Sequence, residues 1–217
     1  MSVRLAVFDC DGTLVDGQAD ICAAMAIAFA EARLPPPDPH QVRRIVGLSL
    51  PAAIRVLAPD ASPTQVNRAT AAYKDAFRAA RIQGRLAEPL FAGIAPLLNT
   101  LLTRGWLLGV ATGKSDRGLA SCLAIHGLSA HFITLQTADR HPSKPHPAML
   151  EAALAEAMAR PDQAVMIGDT DYDMAMARAA GVRAIGVAWG YHEESEMLEA
   201  GAQCVAATPA HLEELLA

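Results

Sequence analysis

Aromatic side chains are scarce in this chain, 5% of its 217 residues, so Ala and Leu carry most of the apolar content. That balance leans towards helix, since both residues lose little on entering one. Basic charge is in deficit too: 18 Lys and Arg stand against 23 Asp and Glu, a formal charge of −5. A general nucleic-acid binder needs a basic face for the phosphate backbone, and this balance argues against one. Small phosphorylated ligands are not excluded, because a local cluster or a metal ion can hold them. The four cysteines, Cys10, Cys22, Cys122 and Cys204, include no CxxC pair. Neither a disulfide framework nor a zinc site fits that scatter, and buried thiols in a reducing compartment do. No stretch reaches about 18 uninterrupted apolar residues, and the N-terminus reads as a strand rather than a secretion signal. A cytoplasmic protein with no membrane partner is expected.

What is present suffices for a sizeable core. Apolar residues make up 52% and charged residues 19%, which suits one ordinary domain with a smaller insert. Residues 3–8, "VRLAVF", read as a short buried strand ended by the turn signal "DGT". Four helical patterns follow without a strand between them, within "ADICAAMAIAFAEARL", "DPHQVRRIVG", "SLPAAIRVLAP" and "SPTQVNRATAAYKDAFRAARIQG". Beyond "EPLFAG" the texture alternates. Helical stretches 93–104, 116–126, 146–158 and 172–180 precede the strand-like runs "WLLGVAT", "FITLQ", "AVMIG" and "RAIGVA", and a last helix, 209–216, follows "QCVA". Strands separated by helices indicate βαβ units and a Rossmann-like parallel sheet covered on both faces. The expected fold is therefore an α/β core formed by 1–16 and 88–217, with an α-helical cap inserted over 17–87.

In open parallel sheets, ligands bind outside the carboxyl ends of the strands. The polar residues fall there: Asp9 closes the first strand, Thr112 the second, Asp169 the "AVMIG" strand, and Lys144 lies in the loop after "FITLQ". If the first strand runs on through Asp11, the two carboxylates point the same way, roughly 6–7 Å apart. A turn at Asp11-Gly12 with Asp9 as a cap is the bland alternative, but it leaves the distant "GDTDYD" unexplained. There Asp169 follows a strand and Asp173 comes near the start of a helix, where the helix dipole favours acids. Several carboxylates meeting in one place call for a cation, and hard oxygen ligands suit Mg²⁺. On the phosphate side, "VATGKS" sets a hydroxyl and Gly113 at a strand-to-helix turn, where free N–H groups attract anions. Prolines flank Lys144 and stiffen its loop.

Together "DCDGTLVD", "VATGKS", "SKPHP" and "GDTDYDM" resemble, in order and spacing, the four motifs of the haloacid dehalogenase superfamily of aspartate-nucleophile hydrolases. The helical insert and "EPLFAGIAPLLNTL" are similar to the cap and return segment of its phosphoglycolate phosphatase and β-phosphoglucomutase subgroup. The resemblance implies a phosphatase for a small phosphorylated metabolite, phosphoglycolate-like in kind. Asp9 would be the nucleophile that becomes an aspartyl-phosphate. Asp11 would be the general acid and then the base. Thr112, Gly113 and Lys144 would lie against the phosphoryl group. Mg²⁺ would sit among Asp9, the backbone carbonyl of Asp11, and Asp169, with Asp173 as ligand or second-shell acceptor. Asp11 speaks against a true dehalogenase, and the absence of Lys from "GQADICAAMAIAFAEARL" against a phosphonatase. A sugar-phosphate mutase and a non-catalytic phosphate-binding regulator are the alternatives, and a monomer or homodimer the expected form. Departures from the family pattern are Gly17, Gly113 in place of Asn, and Ala92 in place of Pro. His141, His146 and Arg140 read as surface residues or substrate contacts, and Lys114 as a neighbour of the phosphate. Trp189 and Tyr191 read as packing or a lid; Arg43, Arg44 and Ser49 are undecided cap positions.

Overall fold

The computed structural model describes residues 3–217. Strand β1 (Leu5–Phe8) is the apolar run before the acids, and all four of its residues are buried. It sits inside a six-stranded sheet with β2 (Leu107–Thr112), β3 (Thr134–Thr137), β4 (Ala164–Gly168), β5 (Arg183–Val187) and β6 (Cys204–Ala206). The order is β3-β2-β1-β4-β5-β6, and every pairing is parallel. The chain therefore builds outward to β3, then crosses back to the other side of β1. That reversal places the first and fourth strands side by side, where such sheets open a crevice.

Period-two alternation assigns the side chains to two cores. Ala6, Phe8, Leu108, Val110, Val165 and Ile167 face one side. Helices α5 (Ile94–Thr103), α6 (Asp116–Ile125) and α10 (Pro209–Leu215) cover them. Leu5, Val7, Ala111 and Met166 face the other. There α7 (Ala148–Glu156), α8 (Asp171–Ala179) and α9 (Glu194–Ala200) close the layer. Burial on both faces explains why the strands read as continuous apolar runs.

Between β1 and α5 come α1 (Gln18–Glu31), α2 (Pro39–Arg44), α3 (Leu50–Leu57) and α4 (Pro63–Ile82). They bury a third core of their own, including Ile21, Met25, Phe29, Val42, Ile54 and Val66. Local chemistry marks their starts. Asp38 accepts a hydrogen bond from the His40 backbone at 2.9 Å before Pro39, and Ser62 and Gln65 form a capping box around Pro63.

Two details go beyond the sequence pattern. The first strand ends at Phe8 and does not run on through Asp11. Asp9 keeps one ladder bond, its N–H donating to the Ile167 carbonyl at 2.9 Å, and Asp11 lies in a tight turn bridged to Val15. Between β5 and β6 the chain forms a helix, α9, that the sequence pattern does not mark. Among the described residues, no helix is long and apolar enough to cross a membrane.

Candidate active site

Asp9, Asp169 and Asp173 come together at the carboxyl ends of β1 and β4, each fully buried, with one oxygen apiece within 4.8 Å of the others. Each is held differently. Asp9 Oδ1 accepts from the Cys10 backbone N–H at 2.6 Å and lies 3.0 Å from Lys144 Nζ. Asp9 Oδ2 is buried with no hydrogen-bond partner. Asp169 accepts from the Thr13 hydroxyl at 2.8 Å and the Tyr191 backbone N–H at 2.9 Å. Both oxygens of Asp173 are engaged: Lys144 Nζ donates to one at 2.6 Å and the Thr170 hydroxyl to the other at 2.7 Å. Thr170 is the N-cap of α8, so Asp173 also closes that helix's first turn.

The electrostatics show how unusual this cluster is. Burial pushes the Asp9 carboxyl up to about 7, with Lys144 opposing and Asp173 adding to the rise. Burial likewise drives Asp169 well above the carboxylate range, reinforced by Asp9 and Asp173. Burial works against the Lys144 charge, yet Asp173 and Asp9 outweigh it and its pKa is raised. One ammonium thus faces three carboxylates, and the excess negative charge needs either protons or a cation. The donor set fits a hard divalent cation. The free Asp9 Oδ2 and the hydrogen-bonded but acceptor-rich Asp169 are the carboxylates able to ligate, while Asp173 orients Lys144.

The turn after β1 is shaped around Asp169. Gly12 has φ +84°, and a Cβ there would collide with the Asp169 carboxylate. Asp11 turns away from the cluster: its Oδ1 lies 3.0 Å from Lys114 Nζ, which also donates to Glu88 Oε1 at 2.5 Å. Burial opposes the Lys114 charge, but Asp11 foremost among its neighbours holds its pKa well above the ordinary value.

Thr112, the last residue of β2, is buried and lines, with Asp11, a cavity of about 400 Å³ between the helical insert and the sheet. Gly113 explains its own departure from the family pattern. A Cβ there would stand 2.5 Å from the Leu48 carbonyl oxygen and 2.7 Å from that of Gly47. Glycine lets the insert's backbone approach the sheet, and any larger residue would push it off.

The remaining sequence candidates have local partners. His141 bonds Gln136 at 2.7 Å, the His146 ring accepts from the Ala148 N–H, and Arg140 pairs with Asp116 at 2.8 Å. The Trp189 indole donates to the Thr13 carbonyl at 3.0 Å, which is packing of the turn rather than a lid. Tyr191 serves through its backbone on Asp169. The Ser49 N–H donates to the Ser143 hydroxyl at 2.8 Å, and Arg44 forms a two-pronged pair with Glu196, both bonds 2.6 Å. Arg43 has no polar side-chain partner among the described residues. Residues that the sequence did not flag are Glu88, Thr13, Thr170 and Glu196. Only Thr13 had a signal, its place directly after Asp-Gly in the first motif.

Comparison with known proteins gives the family. Residues 6–187 match the haloacid dehalogenase-like hydrolase family profile. The chain is 34% identical over 207 residues to the probable phosphatase IndB of Dickeya dadantii, covering 94% of this chain and 89% of that protein. It is 36% identical over 192 residues to a phosphoglycolate phosphatase of Caulobacter vibrioides, covering 86% and 80% respectively. Among solved structures, the haloacid dehalogenase-like hydrolase SP0104 of Streptococcus pneumoniae superposes with a TM-score of 0.85 at 26% identity, covering 99% of each chain. With an aspartate trio at the sheet's switch point and these relatives, the chain belongs to the haloacid dehalogenase-like hydrolases and is a phosphatase of that family.

Proposed function

We propose that this phosphatase is Mg²⁺-dependent and hydrolyses a small phosphorylated metabolite, phosphoglycolate-like in kind, through an aspartyl-phosphate on Asp9. The observation that carries the reading is the Asp9 carboxylate: Oδ1 is fixed by the Cys10 N–H, and Oδ2 is buried without a partner. A carboxylate pinned through one oxygen holds both at no reorganisation cost, so the free Oδ2 can take the cation while Oδ1, beside Lys144, is left to attack phosphorus. Mg²⁺, held by Asp9, the Asp11 carbonyl and Asp169 with Asp173 behind, would neutralise charge on the transferring phosphoryl group.

The chain's own residues do the rest. In this reading Asp11 leaves Lys114, 3.0 Å away, to protonate the leaving oxygen and then to take a proton from the attacking water. An ammonium has three N–H donors. Lys144 spends two of them on Asp9 and Asp173 and has one left for a phosphoryl oxygen. The Thr112 hydroxyl and the backbone at Gly113 supply neutral donors on the other side of the group. Residues 17–87 act as the cap that excludes water, moving about the two connections near 16–17 and 87–88. No nucleic-acid or membrane partner enters this reading, which takes the enzyme as a cytoplasmic monomer or homodimer.

Hydrolysis of p-nitrophenyl phosphate, with and without Mg²⁺, tests it. Wild type should turn over only with the metal, and Asp9→Asn should lose about a thousandfold or more in kcat. With p-nitrophenolate, which leaves without a proton, Asp11→Asn should chiefly slow breakdown of the intermediate, by roughly a hundredfold. Turnover by Asp9→Asn at the wild-type rate would sink the nucleophile assignment.

A further inference from the structure

The cavity above Asp11 is larger and less polar than a glycolate body requires. Pockets of about 300–1,000 Å³ bury drug-sized ligands, and this one holds about 400 Å³. Its floor is Asp11 with Thr112 to Ser115, so whatever fills it adjoins the phosphoryl site. Its walls come from the insert and are mainly apolar, Ile21, Met25 and Leu48 among them. One face of α4 supplies a further stretch. Tyr73, Phe77 and Arg81 follow one another a helical turn apart. The two rings lie 4.9 Å centroid to centroid, tilted by 32°. Arg81 stands about 12 Å along the axis from Tyr73 at the α-helical rise.

Arg81 differs from the other basic residues of α4 that line the cavity. Lys74 lies 3.9 Å from Asp139, and Arg78 lies 3.3 Å from Asp75. The Arg81 Nε is buried and has no hydrogen-bond partner. An unpaired buried N–H of a guanidinium is costly, and an acceptor brought by a ligand would relieve it. The wall thus runs from carboxylate to aromatic pair to a guanidinium whose buried Nε lacks an acceptor. A plain hydrocarbon tail would satisfy the apolar wall and leave the Arg81 Nε without an acceptor. A planar ring with a polar edge satisfies both.

Resting on the phosphatase reading but replacing its glycolate-like body, we propose that the leaving alcohol of the natural phosphomonoester carries a planar ring. The ring lies against Tyr73 and Phe77, and an anionic or acceptor edge faces Arg81. In the reaction the bond from phosphorus to the alcohol oxygen breaks as the Asp9 oxygen bonds to phosphorus, and Asp11 gives its proton to the alcohol. Water then attacks phosphorus, its proton passes to Asp11, and inorganic phosphate leaves with Asp9 restored. The ring-bearing alcohol and phosphate are the two products.

Three esters of primary alcohols test this without large differences in leaving ability: 2-phosphoglycolate, benzyl phosphate and 4-carboxybenzyl phosphate, with phosphate release as the readout. We expect kcat/KM to rise in that order, each step by about tenfold, the size of one apolar body buried or one charge-assisted hydrogen bond gained. Arg81→Gln should lower the ratio of the carboxybenzyl to the benzyl ester about tenfold. Phe77→Ala should lower the ratio of the benzyl ester to 2-phosphoglycolate by a similar factor. A preference for 2-phosphoglycolate, or variants that scale all three esters equally, would overturn the proposal. Failure on all three esters and on p-nitrophenyl phosphate would instead overturn the phosphatase reading, and this inference with it.

Discussion

Asp9 illustrates how strongly one buried carboxyl ties metal, proton and stability together. Its folded pKa is raised to about 7 from an unfolded value near 3.8. Between those values the metal-free folded state holds a proton that the unfolded chain releases, so its stability falls as pH rises through that window. A divalent cation on the free Asp9 oxygen must displace the proton, and its affinity therefore rises with pH through about 7. The Tm gain on adding Mg²⁺ should be larger at about pH 8 than at about pH 6, and Asp9→Asn should flatten the difference. Equal gains at both pH values in wild type would mean that Asp9 is ionised before the cation arrives. The residues at this scale were legible in the sequence when they sat in short motifs at strand ends, as Asp9, Thr112, Lys144 and Asp169 do. Glu88 was not. It touches Lys114 across a 26-residue gap, and nothing local marks a carboxylate that will be buried beside a particular amine.

Among the elements, the strands and the longer helices follow from periodicity, because burial on two faces of a sheet or one stripe of a helix writes itself into residue order. The exceptions have physical reasons. α9 has seven residues, three of them Glu, and buries only Met197, so it shows no apolar period to read. The sequence left the strand or turn at Asp11 open because the turn's geometry depends on Asp169, at the end of another strand. Gly113 shows the same dependence between the second strand and the insert. Adding a methyl group at this position sets a carbon against the Gly47 and Leu48 carbonyls, so Gly113→Ala should displace the insert's loop. A misplacement of about an ångström near the chemistry costs up to roughly a hundredfold, and kcat/KM should fall by tenfold or more. Steady-state kinetics beside a thermal melt would separate this from unfolding, since the sheet core does not depend on the contact. Wild-type kinetics in Gly113→Ala would show that the loop is not held there during turnover.

At the scale of the molecule, the insert rests on the sheet through a small polar latch. Arg44 of α2 pairs with Glu196 of α9, while the Tyr172 hydroxyl, at 3.4 Å, and the His192 ring, at 3.0 Å, contact the Arg44 carbonyl. The Arg44 hydrogen bonds, then the Glu193 backbone, hold the Glu196 carboxyl down to about 2. A depressed carboxyl contributes stability above its unfolded pKa, near 4.5, and loses it as pH falls towards 2. Both side chains are about a third exposed, so solvent screens the pair and its contribution is modest. Glu196→Gln should raise hydrogen exchange in α2 near pH 7, with the excess over wild type shrinking as the buffer approaches pH 3. No difference at neutral pH would mean that the insert docks without this pair.

The sequence by itself determined the parallel α/β core, the helical insert and the strand-end residues, because burial and turn chemistry are written at short range. It also carried the four ordered motifs that place the chain in its family. The tertiary structure alone decided which charges meet. Lys144 bridging Asp9 and Asp173, Lys114 bridging Asp11 and Glu88, and Arg44 reaching Glu196 all join positions far apart in the chain. Coulomb and desolvation energies depend on distance and burial in space, and neither quantity exists until the strands are aligned and the insert is seated.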